Sequence, residues 1–257
     1  MTHAKPVLRT VAIAAAALFA VGTPIVQALT GTIAVADSDF IREGESTLRA
    51  AGYAFSIWTL IYAGLLAYAV YQALPSTPEM PGLRMLGWPS VVAMVGCGLW
   101  LIAQSADAKW ATVAIIVGSA AVLYVPLLKR YPVQHRIEFW LVAAPVSALC
   151  GWLTVASAIN GLTVLTGLGV ITAASAPAWA AGGIVLVVLV AGALTLTSKN
   201  WIYPPPVGWG LVAVSVAERM DKPMISLLAA SGALLVLIAG TWVATHRAIL
   251  LPVPRQQ

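Results

Sequence analysis

Phe55, Trp58 and Tyr62 share one helical face if the stretch Gly52-Tyr-Ala-Phe-Ser-Ile-Trp-Thr-Leu-Ile-Tyr62 is helical, because residues three and four apart stack on one side of a helix. The stretch continues to Gln72 without a charge. Aromatic rings cost little to bury in lipid, and their faces also grip a flat ligand. Trp58 lies about six residues inside the run, deeper than the headgroup belt where Trp usually sits. Trp100 and Trp152 lie well inside two other apolar runs. Asn160, eight residues beyond Trp152 on nearly the same face with Ala156 between them, brings an amide that can both donate and accept. The chemistry on offer is non-covalent: stacking, apolar walls and a few polar handles, the usual make-up of a small-molecule site. Plain helix packing accounts for the same spacing, so both readings stand at this level.

The elements that must hold these rings are membrane helices. The chain is 60% apolar and only 9% charged, with a mean hydropathy of +0.91, where a soluble domain carries roughly a quarter charged residues. Charge-free runs predict spans at Thr10–Thr32, Gly52–Leu74, Gly87–Ser105, Trp110–Leu128, Phe139–Leu162, Ala178–Thr197 and Met224–Thr245. A weaker run, Val207–Ala217, follows Pro204-Pro205-Pro206. It covers about 17 Å at ~1.5 Å per residue, short of a hydrocarbon core of about 30 Å. The expectation is seven or eight spans. Lys5 and Arg9 precede an apolar run from Thr10 to Ala36 that ends in Ala34-Val35-Ala36. That run exceeds the roughly 7–15 residues of a signal-peptide core and reads as a retained first helix.

With eight spans and a cytoplasmic N-terminus, Lys5, Arg9, Arg84, Lys129, Arg130, Arg136, Lys199, Arg247 and Arg255 fall inside, and Arg42, Arg49, Lys109, Arg219 and Lys222 fall outside. Nine against five fits the positive-inside rule. Dropping the weak span exchanges two of these charges for two others and leaves the tally unchanged. In this orientation Trp58 lies roughly 9 Å below the outer end of its span, and Trp100 and Trp152 lie roughly 20 Å above the inner ends of theirs. All three rings reach the outer half of the bilayer. Trp88, Trp110, Trp140, Trp179 and Trp201 sit at span ends, where the aromatic belt explains them; Trp209 and Trp242 receive no role.

Several function classes drop out. No Asp, Glu, Lys or Arg lies near the middle of a span, whereas ion- and proton-coupled machines carry such groups. No lysine is placed for a retinal Schiff base. His3, His135 and His246 are scattered over loops and tails, Cys97 and Cys150 lie in apolar spans as small hydrophobes, and no metal spacing or catalytic motif occurs. The net charge of +5 comes in ones, twos and threes between spans, which is no nucleic-acid footprint. Gly161–Gly169 reads as an outer loop. The charged segment Asp37–Arg49 reads as a solvated turn, with a lid over the outer site as the alternative.

The Gly52–Tyr62 stretch resembles the second-helix signature of the tryptophan-rich sensory protein (TspO/MBR, translocator protein) family. Trp152-Leu-Thr-Val-Ala156-Ser-Ala-Ile-Asn160 is similar to its fifth-helix pattern, and Gly98-Leu-Trp100 occupies the place of its third-helix motif. The likeness covers about Thr10 to Leu162. The charged Asp37–Ala51 segment replaces the family's Trp- and Pro-rich first loop, and Cys97 stands where an Asn is expected. The resemblance implies an all-α integral membrane protein: a TspO-like five-helix region at 1–165, with two or three additional transmembrane helices at 166–257. It further implies a site built from Tyr53, Phe55, Trp58, Tyr62, Trp100, Trp152 and Asn160 for a tetrapyrrole- or sterol-like molecule, and a homodimer as the assembly. No cofactor is required, although porphyrin or haem fits as ligand.

The expected function is a non-catalytic receptor or carrier in a bacterial plasma membrane. Two alternatives are a facilitative transporter using all the helices, hinted at by the proline run, and a scaffold whose Gly118, Ala121, Gly182 and Gly192 permit close helix contacts. An enzyme acting on a bound tetrapyrrole is a minor further reading.

Overall fold

The computed structural model describes residues 7–31, 39–77, 79–129 and 136–250, with side chains described from Arg42 in the second stretch and as far as His246 in the last. Ala34-Val35-Ala36, His3, His135, Lys5, Arg130, Arg255 and the start of the Asp37–Arg49 segment lie outside the described residues, as does the side chain of Arg247. The chain forms α1 (Val7–Leu29), the short α2 (Asp39–Gly44), a 3-10 turn (Gly52–Ser56), α3 (Ile57–Ala73), α4 (Pro81–Ser105) and α5 (Lys109–Leu128). There follow α6 (Arg136–Glu138), a π turn (Phe139–Ala143), α7 (Ala144–Gly167), α8 (Ala176–Ser198), α9 (Pro204–Glu218) and α10 (Pro223–Leu250).

Several boundaries differ from the sequence expectation, each for a physical reason. Charge-free counting starts the third span after Arg84, yet α4 begins at Pro81, where a missing N–H costs nothing because the first-turn donors have no helical acceptor anyway. Arg84 simply points outward. Gly161–Gly167 is helix, not loop: Leu162 and Val164 are buried, and that burial outweighs a glycine penalty of about 1 kcal/mol each. The π turn precedes Pro145, whose ring would clash with the carbonyl four residues back, so the wider turn relieves it. Pro145 then packs on Gly64 of α3, where even a Cβ would be 3.1 Å away.

Among the described residues, seven helices are long and apolar enough to cross a membrane. α9 has only 15 residues, about 22 Å of rise. Its neighbours nonetheless fix its direction. Tyr203 at its start lies beside Thr154 of α7, Ser215 near its end bonds Ser226 at the start of α10, and Lys199 at the end of α8 sits over Trp242 near the end of α10. α9 therefore rises parallel to α7 and antiparallel to α8 and α10. The preceding turn covers the missing height: Asn200 donates to Ser147 Oγ at 2.7 Å and accepts the backbone N–H groups of Ile202 and Tyr203. With α9 counted, eight helical segments alternate in direction among the described residues, and the start of α1 and the end of α10 share one end of the bundle. The proline run supplies the first turn of an unbroken α9, so the hint of a discontinuous helix disappears.

α7 is the central helix. It packs against α3 and α5 on one side and α8 and α9 on the other, and its span is 72% buried against 22–50% for the other six long spans. Position 165, the expected boundary between two regions, falls in the last turns of this shared helix.

Candidate ligand-binding cavity

The cavity lies between α1, α3, α4, α5 and α7 near the end of the bundle that carries α2. It measures about 320 Å³, at the lower end of the small-molecule range. The 3-10 turn and first two turns of α3 present Phe55, Trp58 and Tyr62; α7 presents Trp152, Ala156, Ile159, Asn160 and Thr163. α4 contributes Gly96, Cys97, Trp100 and Leu101, α5 contributes Ile116 and Ser119, and α1 contributes Pro24. The three tryptophans singled out from the sequence thus meet around one space. α1 approaches α4 closely because Gly98 has no side chain: a Cβ there would collide with the Phe19 ring.

The rings brace one another. Trp58 stacks on Tyr62 with centroids 4.9 Å apart and planes at 28°. Trp152 meets Trp58 edge-on at 6.2 Å and Phe55 edge-on at 6.4 Å. Edge-to-face and offset stacking are the favoured aromatic geometries, each contributing about 0.5–1.5 kcal/mol beyond area burial. Four rings thus support one another along this wall.

Polar groups in the cavity are few. Asn160 is buried, accepts Trp100 Nε1–H at 3.1 Å and donates to Thr112 Oγ1 at 3.1 Å. Thr112 in turn donates to the Lys109 carbonyl. The sequence offered Asn160 as a polar handle; half its hydrogen-bonding capacity is instead taken by Trp100 and Thr112, leaving one N–H and one lone pair. Among the described residues, no hydrogen bond engages the Tyr62 hydroxyl. Both cysteines are free and buried, and Cys97 stands on the cavity wall. Among the described residues no three His, Cys, Asp or Glu side chains come together to hold a metal ion.

Two sequence expectations need correction. Tyr53 is placed elsewhere: it is half exposed, and its ring packs edge-on against Trp209 at 5.3 Å. Residues two apart in a 3-10 turn point about 120° away from each other, so Phe55 facing inward turns Tyr53 aside toward Trp209. The segment before Gly52 is also no freely solvated turn. Leu48, Arg49 and Ala50 form part of the cavity wall, and ion pairs tie the segment down on both flanks. Glu43 binds Lys109 at 2.6 Å, Arg49 pairs with Asp221 and lies 4.0 Å from Glu218, and Lys222 lies 3.2 Å from Glu218. The role of Trp209 was missed as well: its Nε1–H donates to the Ala54 carbonyl at 3.1 Å, bracing the 3-10 turn.

Architecture and cavity together define a polytopic helical membrane protein with an aromatic-walled chamber near one end. A family model described as TSPO-like protein matches residues 6–242, and the chain belongs to that family. The match runs through α8 and α9 into α10, so the C-terminal helices are part of the family unit. No curated protein and no solved structure matches the chain.

Proposed function

We propose that the protein is a receptor or carrier that takes up a planar hydrophobic ligand, tetrapyrrole- or sterol-like, in this cavity and leaves it chemically unchanged. The observation that carries this reading is the ring set Phe55, Trp152, Trp58 and Tyr62, self-braced around about 320 Å³ of apolar space. A flat molecule gains face contacts from the indoles there and one or two polar anchors. With α9 taken as an eighth pass, the nine-to-five distribution of basic residues favours both chain ends in the cytoplasm of a bacterium. The α2 end, and with it the cavity, then faces outward.

The test is saturable quenching of tryptophan fluorescence in the purified, detergent-solubilised protein, with a free-base porphyrin and a sterol titrated side by side. Trp58→Leu and Trp152→Leu are expected to weaken binding about tenfold each, the equivalent of ~1.4 kcal/mol. Unchanged affinity in both variants would remove the cavity from consideration.

A further inference from the structure

We infer that the C-terminal helices work the cavity: Glu218, Asp221 and Lys222 latch the Glu45–Ala51 segment across its end, and Glu218 is a positioning residue for that wall. As a route for ligand, the latch rests on the proposed function; as a structural device it is testable without any ligand. The α9–α10 turn reaches the segment through a dense set of polar contacts. Glu218 Oε1 accepts the Arg49 backbone N–H at 2.8 Å, and the Arg49 guanidinium donates to the Ala217 carbonyl at 3.1 Å while pairing with Asp221. Lys222 Nζ donates to the carbonyls of Glu45 and Thr47 at 2.9 and 3.2 Å, and the Ala51 N–H donates to the Ala213 carbonyl at 3.0 Å.

Glu218 is the informative member. Its side chain is 0% exposed, and a carboxylate persists there only with charged or donor partners. Packing alone would be served as well by an apolar side chain. Its partners are the Arg49 N–H and the Lys222 ammonium, one in the cavity wall and the other holding that wall's carbonyls. The buried charge is therefore spent on the position of one short segment. The Arg49–Asp221 pair is the breakable part, with side chains 34% and 62% exposed, where dissolved salt competes effectively. The opposite flank is held separately, by Lys109 on Glu43 and by Thr166 on Thr47 Oγ1. Release of the α9 side alone frees Leu48–Ala50 to swing while the segment stays tethered.

Cys97 reports the opening. It lines the cavity and is 6% exposed, roughly 12 Å down α4 from its Ser105 end. Cys150 is fully buried and lines no part of the cavity, so it reports global unfolding. The experiment labels the full chain in detergent or nanodiscs with a membrane-impermeant, cationic methanethiosulfonate and reads each cysteine by mass. The reagent cannot enter through lipid, and the Leu48–Ala50 wall is the entry that this proposal assigns to it. Expected are an increase of at least tenfold in Cys97 labelling for Asp221→Asn and Glu218→Gln, with Cys150 unlabelled, and acceleration by salt in the wild type that disappears in the double variant. Cys97 labelling within twofold of wild type in Asp221→Asn, whose exposed site makes folding secure, overturns the latch whatever Glu218→Gln does. Dissociation of a free-base porphyrin, followed in parallel, should quicken by the same factor. Absence of porphyrin and sterol binding with the labelling pattern intact would sink the ligand reading and keep the latch; binding with unchanged labelling and release would do the reverse.

Discussion

The two faces of α7 are built from similar residues and end in opposite states. On one face Trp152, Ala156, Asn160 and Thr163 border a cavity of about 320 Å³. On the other, Val155 and Ala158 border a void of only about 10 Å³ against α8 and α9. The difference lies in what faces each side. Gly151 and Gly210 let α9 come up to α7 until backbone touches side chain: a Cβ on Gly151 would collide with the Tyr203 carbonyl, and one on Gly210 would lie 2.6 Å from Val155. Thr154 adds a hydroxyl hub, 3.0 Å from both Tyr124 and Tyr203. The cavity face instead meets rings wedged on other rings, which cannot collapse inward. An enclosed space in this bundle is thus a consequence of braced large side chains facing a small one, and a closed seam is a consequence of paired glycines.

The largest expected effect comes from prying the closed seam apart. Gly151→Val forces a branched side chain against backbone atoms that cannot rotate away, at the upper end of the roughly 1–3 kcal/mol that overpacking costs. The thermal unfolding midpoint in detergent should fall sharply, with porphyrin affinity lost alongside it. A midpoint unchanged within error would mean that α9 does not pack on α7 in this way.

Next in size is Asn160→Leu, which takes the acceptor from the indole N–H of Trp100, while the Thr112 hydroxyl loses an incoming donor but keeps its bond to the Lys109 carbonyl. Stranding buried polar groups costs about 1–3 kcal/mol, so a moderate loss of stability is expected. A redshifted tryptophan emission as the Trp100 ring loosens should accompany it. Stability without the spectral change would show that other contacts fix Trp100 and that Asn160 orients nothing.

Ala156→Leu turns the open face into something like the closed one. The added carbons enter existing space, so the unfolding midpoint should hold, while affinity for the bound probe should drop at least tenfold, about 1.4 kcal/mol. Equal affinity would place the ligand outside the cavity and leave the contrast between the faces without functional content.

Much of this arrangement is readable from the chain because indoles inside charge-free runs are out of place by belt rules, and only a limited set of helix rotations brings Trp58, Trp100 and Trp152 together. The number of passes is not readable from charge, since either count gives the same tally; the direction of α9 comes instead from Tyr203, Ser215 and Lys199 meeting α7 and α10. The wall at Leu48–Ala50 is less legible still. Its partners Glu218 and Asp221 are about 170 positions away, and no local periodicity connects a charged loop to a carboxylate at the end of a distant short helix. Tyr53 misleads because a motif match transfers positions without the local turn geometry that decides which way each ring points.

The smallest effect separates glycines that pack from glycines that do not. Gly182 on α8 is exposed, and a Cβ added there would meet nothing within 4 Å, as is also true of Gly118 on α5. Neither serves internal packing. Gly182→Ala removes backbone freedom from the unfolded chain at no steric cost and should leave stability unchanged or raise it by no more than about 1 kcal/mol. The unfolding midpoint measures this, with the particle mass in detergent recorded on the same sample. A loss of stability together with a smaller particle would mean that the outward glycines meet a second polypeptide, and the scaffold reading, which these positions first raised, would then have a surface to stand on.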